Sequence, residues 1–130
     1  MATLTTALTI TSTDATTDVT QVSVTDSLNV IHPLVGVSRV ASENSSGSVV
    51  TLLAASVTGN KYFYIKHTGL QTDASTAAAG DCIVRIGSTD VIRLAPGEWG
   101  FFPVKSALAV DVQSNDSNTI LCEYAYWKKA

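Results

Sequence analysis

The residues with the most chemical potential in this chain are two cysteines, Cys82 and Cys122, two histidines, His32 and His67, and three loop aspartates, Asp73, Asp81 and Asp90. A zinc site would need thiolates and imidazoles at close, paired spacing, and neither histidine has a Cys, His or Asp at such a distance. A calcium loop would need carboxylates in a DxDxDG run, which the aspartates do not form. Serine is abundant, yet no GxSxG elbow is present and no Ser/His/acid order stands out. Phosphate-cradling and dinucleotide glycine fingerprints are also missing. The sequence reading is therefore of a protein that is not an enzyme, with no catalytic, cofactor-binding or metal-binding residue. His67 closes a strand-like stretch and His32 precedes Pro33; each reads as a satisfied or surface histidine. Each cysteine lies in an apolar stretch, which suits buried free thiols, with a single bridge between adjacent strands as the alternative.

The second group with chemical character is aromatic. In LAPGEWGFFP (94–103), Trp99, Phe101 and Phe102 crowd between two prolines and around Gly97 and Gly100. Pro96-Gly97 is a turn signal. Beyond it Trp99 and Phe101 alternate onto one face, with Phe102 and Val104 on the other. Glu98 stands where it can accept local backbone N–H groups. The stretch reads as a sandwich corner in preference to a ligand platform. In KYFYIKH (61–67), Tyr62 and Tyr64 share a face opposite Phe63 and Ile65. Near the C-terminus Ile120, Cys122 and Tyr124 share a face opposite Trp127. Packing Phe63 and Ile65 on the Ile120 set makes a core and leaves Tyr62, Tyr64 and Trp127 partly outside. Exposed aromatics are either ordinary surface or anchors for a partner.

These residues need a scaffold, and 130 residues suffice for one domain that buries roughly two-thirds of its unfolded surface. Apolar residues make up 45% and charged residues only 15%, leaving a Ser/Thr/Ala-rich surface that is easily desolvated against neighbours. The net charge of −3 lies in the first 58 residues, where Arg39 stands against Asp14, Asp18, Asp26 and Glu43. Apart from Lys128-Lys129 there is no basic run, so nucleic-acid binding is not expected. No apolar run is long enough to span a bilayer as a helix. MATLTTALTITST lacks the features of a signal peptide, and synthesis in a cytoplasm is expected. The triplets NSS (44–46) and NDS (115–117) match glycosylation acceptors, which a Ser-rich chain produces by chance.

Residues 1–26 are Thr-rich, with Leu4, Leu8 and Ile10 on even positions, and predict an extended arm or edge strand. Residues 27–130 predict the main domain. Strand-like runs occur at 18–25, 28–40 (broken by Pro33 and Gly36), 49–57, 61–67, 82–87, 91–95, 99–104, 108–112 and 119–127. Loop chemistry separates them at 41–48, 68–81 and QSNDSN (113–118). CIVRIG and VIRLA flank STD as a hairpin, and TDASTAAA offers at most a helical turn without an apolar face. The expected fold is all-β: an antiparallel β-sandwich, jelly-roll or related Greek key, with an extended N-terminal arm.

From residue 61 onward the succession KYFYIKH, CIVRIGS, LAPGEWGFFP and CEYAYWKKA resembles small β-sandwich virion proteins of tailed bacteriophages. The likeness covers about 70 of the 130 residues and leaves the N-terminal half outside it. It implies a non-enzymatic structural role: a capsid decoration (cement) protein on the virion surface, bound to the major capsid protein, or a tail, fibre or head–tail component. A carbohydrate-binding sandwich using Tyr62, Tyr64 or Trp99 is the competing reading from another class. A homo-oligomer, specifically a trimer, is expected. The residues expected to meet partners are Leu4, Leu8, Ile10, Tyr62, Tyr64, Trp99 and Trp127.

Overall fold

Alternation of side chains across extended backbone sorts this chain into two sheets. The computed structural model describes residues 2–14, 20–42, 48–115 and 119–130, with side chains described for all of these except 20, 32–39, 41 and 42. The NSS triplet, the His32 side chain and parts of the NDS triplet and QSNDSN turn lie outside the described residues. The described residues form nine strands: β1 (Ala2–Ser12), β2 (Thr20–Ser42), β3 (Val50–Leu53), β4 (Lys61–Gln71), β5 (Cys82–Ile86), β6 (Thr89–Leu94), β7 (Trp99–Val104), β8 (Val110–Ser114) and β9 (Ile120–Lys129). Sheet order is β1-β2-β9-β4-β7 in the larger sheet and β3-β8-β5-β6 in the smaller. All pairings are antiparallel, and the two sheets pack as a β-sandwich. Four pairs nest inside one another, β5 with β6, β4 with β7, β3 with β8 and β2 with β9, as if one long hairpin had been rolled up.

The core follows from the alternation. Phe63 and Ile65 of β4, Ile120, Cys122 and Tyr126 of β9, and Val104 of β7 face Leu53, Val110, Val112, Cys82, Val84 and Leu94 of the smaller sheet. Phe63 is fully enclosed, with ring centroids of Phe102, Tyr124 and Tyr126 between 5.7 and 6.2 Å away. Each large apolar side chain fully withdrawn from water contributes about 1.5–3 kcal/mol, so this layer, not any loop, holds the sheets together.

Two expected breaks take a different form. Pro33 and Gly36 do not end a strand; β2 runs through 23 residues, with register shifts against β9 between Val30, Pro33, Val35 and Ser38. Bulges are where a strand tolerates a proline, because the missing N–H then falls at an irregular step of the ladder. The boundary read between residues 26 and 27 consequently lies inside β2. The TDASTAAA stretch forms turns tied down by Asp73, whose carboxylate accepts the N–H groups of Ser75 and Thr76.

His67 is buried and fully bonded: Nδ1 accepts from the Gly69 N–H at 3.0 Å, and Nε2–H donates to the Gly80 carbonyl at 2.9 Å. Its backbone holds the next corner, since Gly97 N–H donates to the His67 carbonyl and His67 N–H donates to the Glu98 carbonyl. Pro96-Gly97 forms the turn, with Gly97 at φ 89, a value that favours glycine. The Glu98 carboxylate accepts the Ala95 N–H at 2.8 Å.

Cys82 and Cys122 come from opposite sheets, not adjacent strands, and are free, with Sγ atoms 3.3 Å apart in the core. The neighbouring Cys122 thiol and full burial push the Cys82 thiol well above its ordinary value near 9.0. A thiol raised on folding contributes stability that is intact below that value and is lost above it. We expect unfolding free energy to fall by about 1.4 kcal/mol per pH unit above roughly pH 9 from this group. Lys61, fully buried with its amine donating to the Val57 carbonyl, is lowered by burial and by Lys128 and acts in the opposite sense. Chemical denaturation of wild type and Cys82→Ala between pH 7 and 11 separates the two, and an unchanged slope in the variant would refute the assignment.

Candidate functional site

The residues read as partner contacts converge on one side of the larger sheet. On β4 the inner positions are Lys61, Phe63, Ile65 and His67, which leaves Tyr62, Tyr64 and Lys66 outside. Antiparallel register aligns Tyr62 with Trp127 and Pro103, Tyr64 with Ala125 and Phe101, and Lys66 with Glu123 and Trp99. Directly opposed residues point to the same side of a sheet, so Tyr62, Tyr64, Trp99, Phe101 and Trp127 form one outer aromatic face. Tyr62 stacks on Phe101 with centroids 5.9 Å apart and planes 13° apart, and Lys129 Nζ lies 5.1 Å from the Tyr62 ring centre. Trp127 meets Phe101 at 6.4 Å with planes tilted by 52°. The Tyr64 hydroxyl donates to Glu123 Oε1 at 3.2 Å; burial, then the Glu123 charge, raise its pKa and keep it protonated. Trp99 stands out with 55% of its surface exposed.

Leu4, Leu8 and Ile10 lie elsewhere in the same sheet. β1 pairs with residues 20–30 of β2 over eleven unshifted steps, making a two-stranded ribbon. Even positions give one face: Leu4 opposite Leu28, Thr6 opposite Asp26, Leu8 opposite Val24 and Ile10 opposite Val22. Odd positions give the other: Thr3 opposite Asn29, Thr5 opposite Ser27, Ala7 opposite Thr25, Thr9 opposite Ser23 and Thr11 opposite Gln21. One face is therefore apolar but for the Thr6–Asp26 pair, and the other is almost wholly hydroxyl and amide. Among the described residues nothing covers the apolar face toward the tip, where Leu8, Ile10, Val22 and Val24 are all exposed. N-terminal residues 2–12 thus project as half of a ribbon whose other half is the start of β2.

The two surfaces meet across an apolar cleft of about 380 Å³, lined by Thr6, Ala7, Leu8 and Val24 from the ribbon and by Tyr64, Trp99 and Phe101 from the sheet. Three of the anticipated residues, Leu8, Tyr64 and Trp99, are brought together here. Tyr62 and Trp127 flank it through Phe101, while Leu4 is half-buried and Ile10 stays toward the ribbon tip. Sequence reading missed Phe101, Val22 and Val24 as part of this surface. The alternation in DVTQVSVT signalled a strand, but only the pairing with β1 shows that its valines continue the Leu8–Ile10 face. LAPGEWGFFP forms the hydrogen-bonded corner expected of it, and its Trp99 and Phe101 rings also line the cleft.

The chemistry available in the cleft is desolvation and ring contact. Its polar side-chain atoms are the Thr6 and Tyr64 hydroxyls and the Trp99 indole N–H, and the Tyr64 hydroxyl is engaged with Glu123. Among the described residues no group of three His, Cys, Asp or Glu side chains gathers at metal-binding distance. No protein-family model matches the chain, and no curated protein matches it.

Proposed function

We propose that this chain is a structural protein of bacteriophage virions, a capsid decoration (cement) protein that binds the outer shell and stabilises contacts between capsomers. The observation that carries this reading is the ribbon: a projecting, amphipathic pair of strands whose apolar face is open beside an equally open aromatic face. A single domain gains nothing for its own stability by exposing such a surface, whereas a protein seated on a neighbour buries it. Of the four segments that carry the resemblance to phage virion proteins, KYFYIKH, EWGFFP and CEYAYWKK form the neighbouring strands β4, β7 and β9, with β4 in the middle, and CIVRIGS forms β5 of the other sheet. The nested strand pairing supports the jelly-roll reading of the sandwich. In this account the partner is the major capsid protein, the location is the capsid surface after synthesis in the host cytoplasm, and no catalysis is involved.

Quantitative mass spectrometry of purified virions tests it. A copy number comparable with that of the shell protein supports decoration. A small fraction of it moves the protein to the tail or fibre, and absence from virions removes the reading. In that last case exposed Trp99, with the Thr6 and Tyr64 hydroxyls beside it, favours a carbohydrate-stacking site instead.

Trp99→Ala separates binding from folding. Trp99 is mostly outside the core, so the change is expected to alter unfolding free energy by no more than about 0.5 kcal/mol. Loss of an aromatic anchor should weaken shell binding roughly tenfold or more. Unchanged binding to purified shells in a co-sedimentation titration would remove Trp99 from the contact surface.

A further inference from the structure

A sandwich has open sheet edges, and each one is a row of unpaired backbone donors and acceptors that invites another strand. Three of the four edges here are blunted. β3 is only four residues long, β6 carries Asp90 and Arg93, and β7 carries Pro103 and Gly100. β1 has none of these devices. Its eleven residues, ATLTTALTITS, include no charge, no proline and no glycine, and its pairing with β2 has no bulge to twist the edge away. Among the described residues no other strand pairs with it.

We propose that the free edge of β1 pairs with β1 of a second copy of this chain, antiparallel about a two-fold axis through Ala7. Ala7 is the midpoint of Ala2–Ser12, so this register alone uses the whole strand. It places Leu4 opposite Ile10 and Thr6 opposite Leu8 on one side, and Thr5 opposite Thr9 and Thr3 opposite Thr11 on the other. Because opposed residues share a side of the sheet, matching even with even joins the apolar faces of both ribbons into one. A slip by one residue would lay apolar against polar along the whole strand. The strand brings no charge to oppose its own copy, and the ribbon's acidic residue on that face, Asp26, lies on β2 away from the free edge. The product is a four-stranded sheet, β2-β1-β1-β2, with a continuous stripe of Leu, Ile and Val. The pairing is isologous, and so gives a dimer in place of the trimer expected from sequence. It does not rest on the virion reading.

The test is sedimentation equilibrium of the full chain from about 1 µM to about 1 mM, a range suited to the weak affinity of a small interface. The expected result is a monomer–dimer equilibrium. Ala7→Lys and Ala7→Glu, each placing like charges face to face at the axis, should separately weaken it roughly 100-fold. An equimolar mixture of the two variants should dimerise again, which a misfolded variant could not do. A wild type that stays monomeric throughout, a trimer, a dimer indifferent to Ala7→Lys, or a mixture that fails to recover would each overturn the proposal.

Discussion

Oxidation of the Cys82–Cys122 pair is expected to raise the unfolding free energy by about 4 kcal/mol and the unfolding midpoint by roughly 10–15 °C. The two sulfurs face each other across the sandwich at 3.3 Å, one from β5 and one from β9, and the bond would close a loop of 40 residues. Chain-entropy arguments give that magnitude for a loop of this length, because the cross-link removes unfolded conformations, the sulfurs closing from 3.3 Å to the roughly 2.05 Å of an S–S bond. Both thiols are fully buried, so a small oxidant such as an azo compound reaches them only when the sheets open. It would take up the two electrons and two protons that the thiols lose. Intact mass after oxidation, thiol titration after unfolding, and thermal denaturation of reduced and oxidised samples together decide the point. An oxidised protein with no higher midpoint would mean that the bond strains the packing around Val84 and Ile120 by as much as it constrains the unfolded chain. Under the proposed virion role the protein meets oxidising conditions outside the cell, and the same measurement on protein recovered from particles then shows which form is native.

Deleting residues 2–12 should leave a folded sandwich that binds purified shells at least roughly 100-fold more weakly. The eight strands from β2 onward keep their two four-stranded sheets, and every side chain of the shared core lies outside the deleted segment. What is lost is the free β1 edge, the Leu4–Leu8–Ile10 half of the apolar face and one wall of the cleft. The packing of the Phe63, Tyr124 and Tyr126 rings should therefore be unchanged by near-ultraviolet circular dichroism. Undiminished binding by a folded deletion variant would sink the docking role of the ribbon and leave the aromatic face as the remaining contact candidate.

The sequence by itself determined the all-β class, most strand positions and the inner and outer faces of β4, β7 and β9. Each of these depends only on the two-residue period of extended backbone. Phe63 and Ile65 had to share a face, as did Tyr62 and Tyr64, whatever they packed against. The Pro-Gly corner was legible for a similar reason: turn geometry and the Glu98 carboxylate contact span only a few residues. What lay beyond local reading was everything set by partner choice between distant strands. Pro33 and Gly36 looked like strand breakers because a ladder that can absorb irregularity in bulges is visible only once β9 is beside β2. The cysteines could be placed in strands, but not in opposite sheets, since the order β3-β8-β5-β6 is a global packing solution. The ribbon shows the same limit most clearly. Thr-rich residues 2–12 and the valines at 22 and 24 are separate, weak patterns along the chain, and only tertiary pairing lays them edge to edge, bends them beside Trp99 and leaves one apolar face open to water.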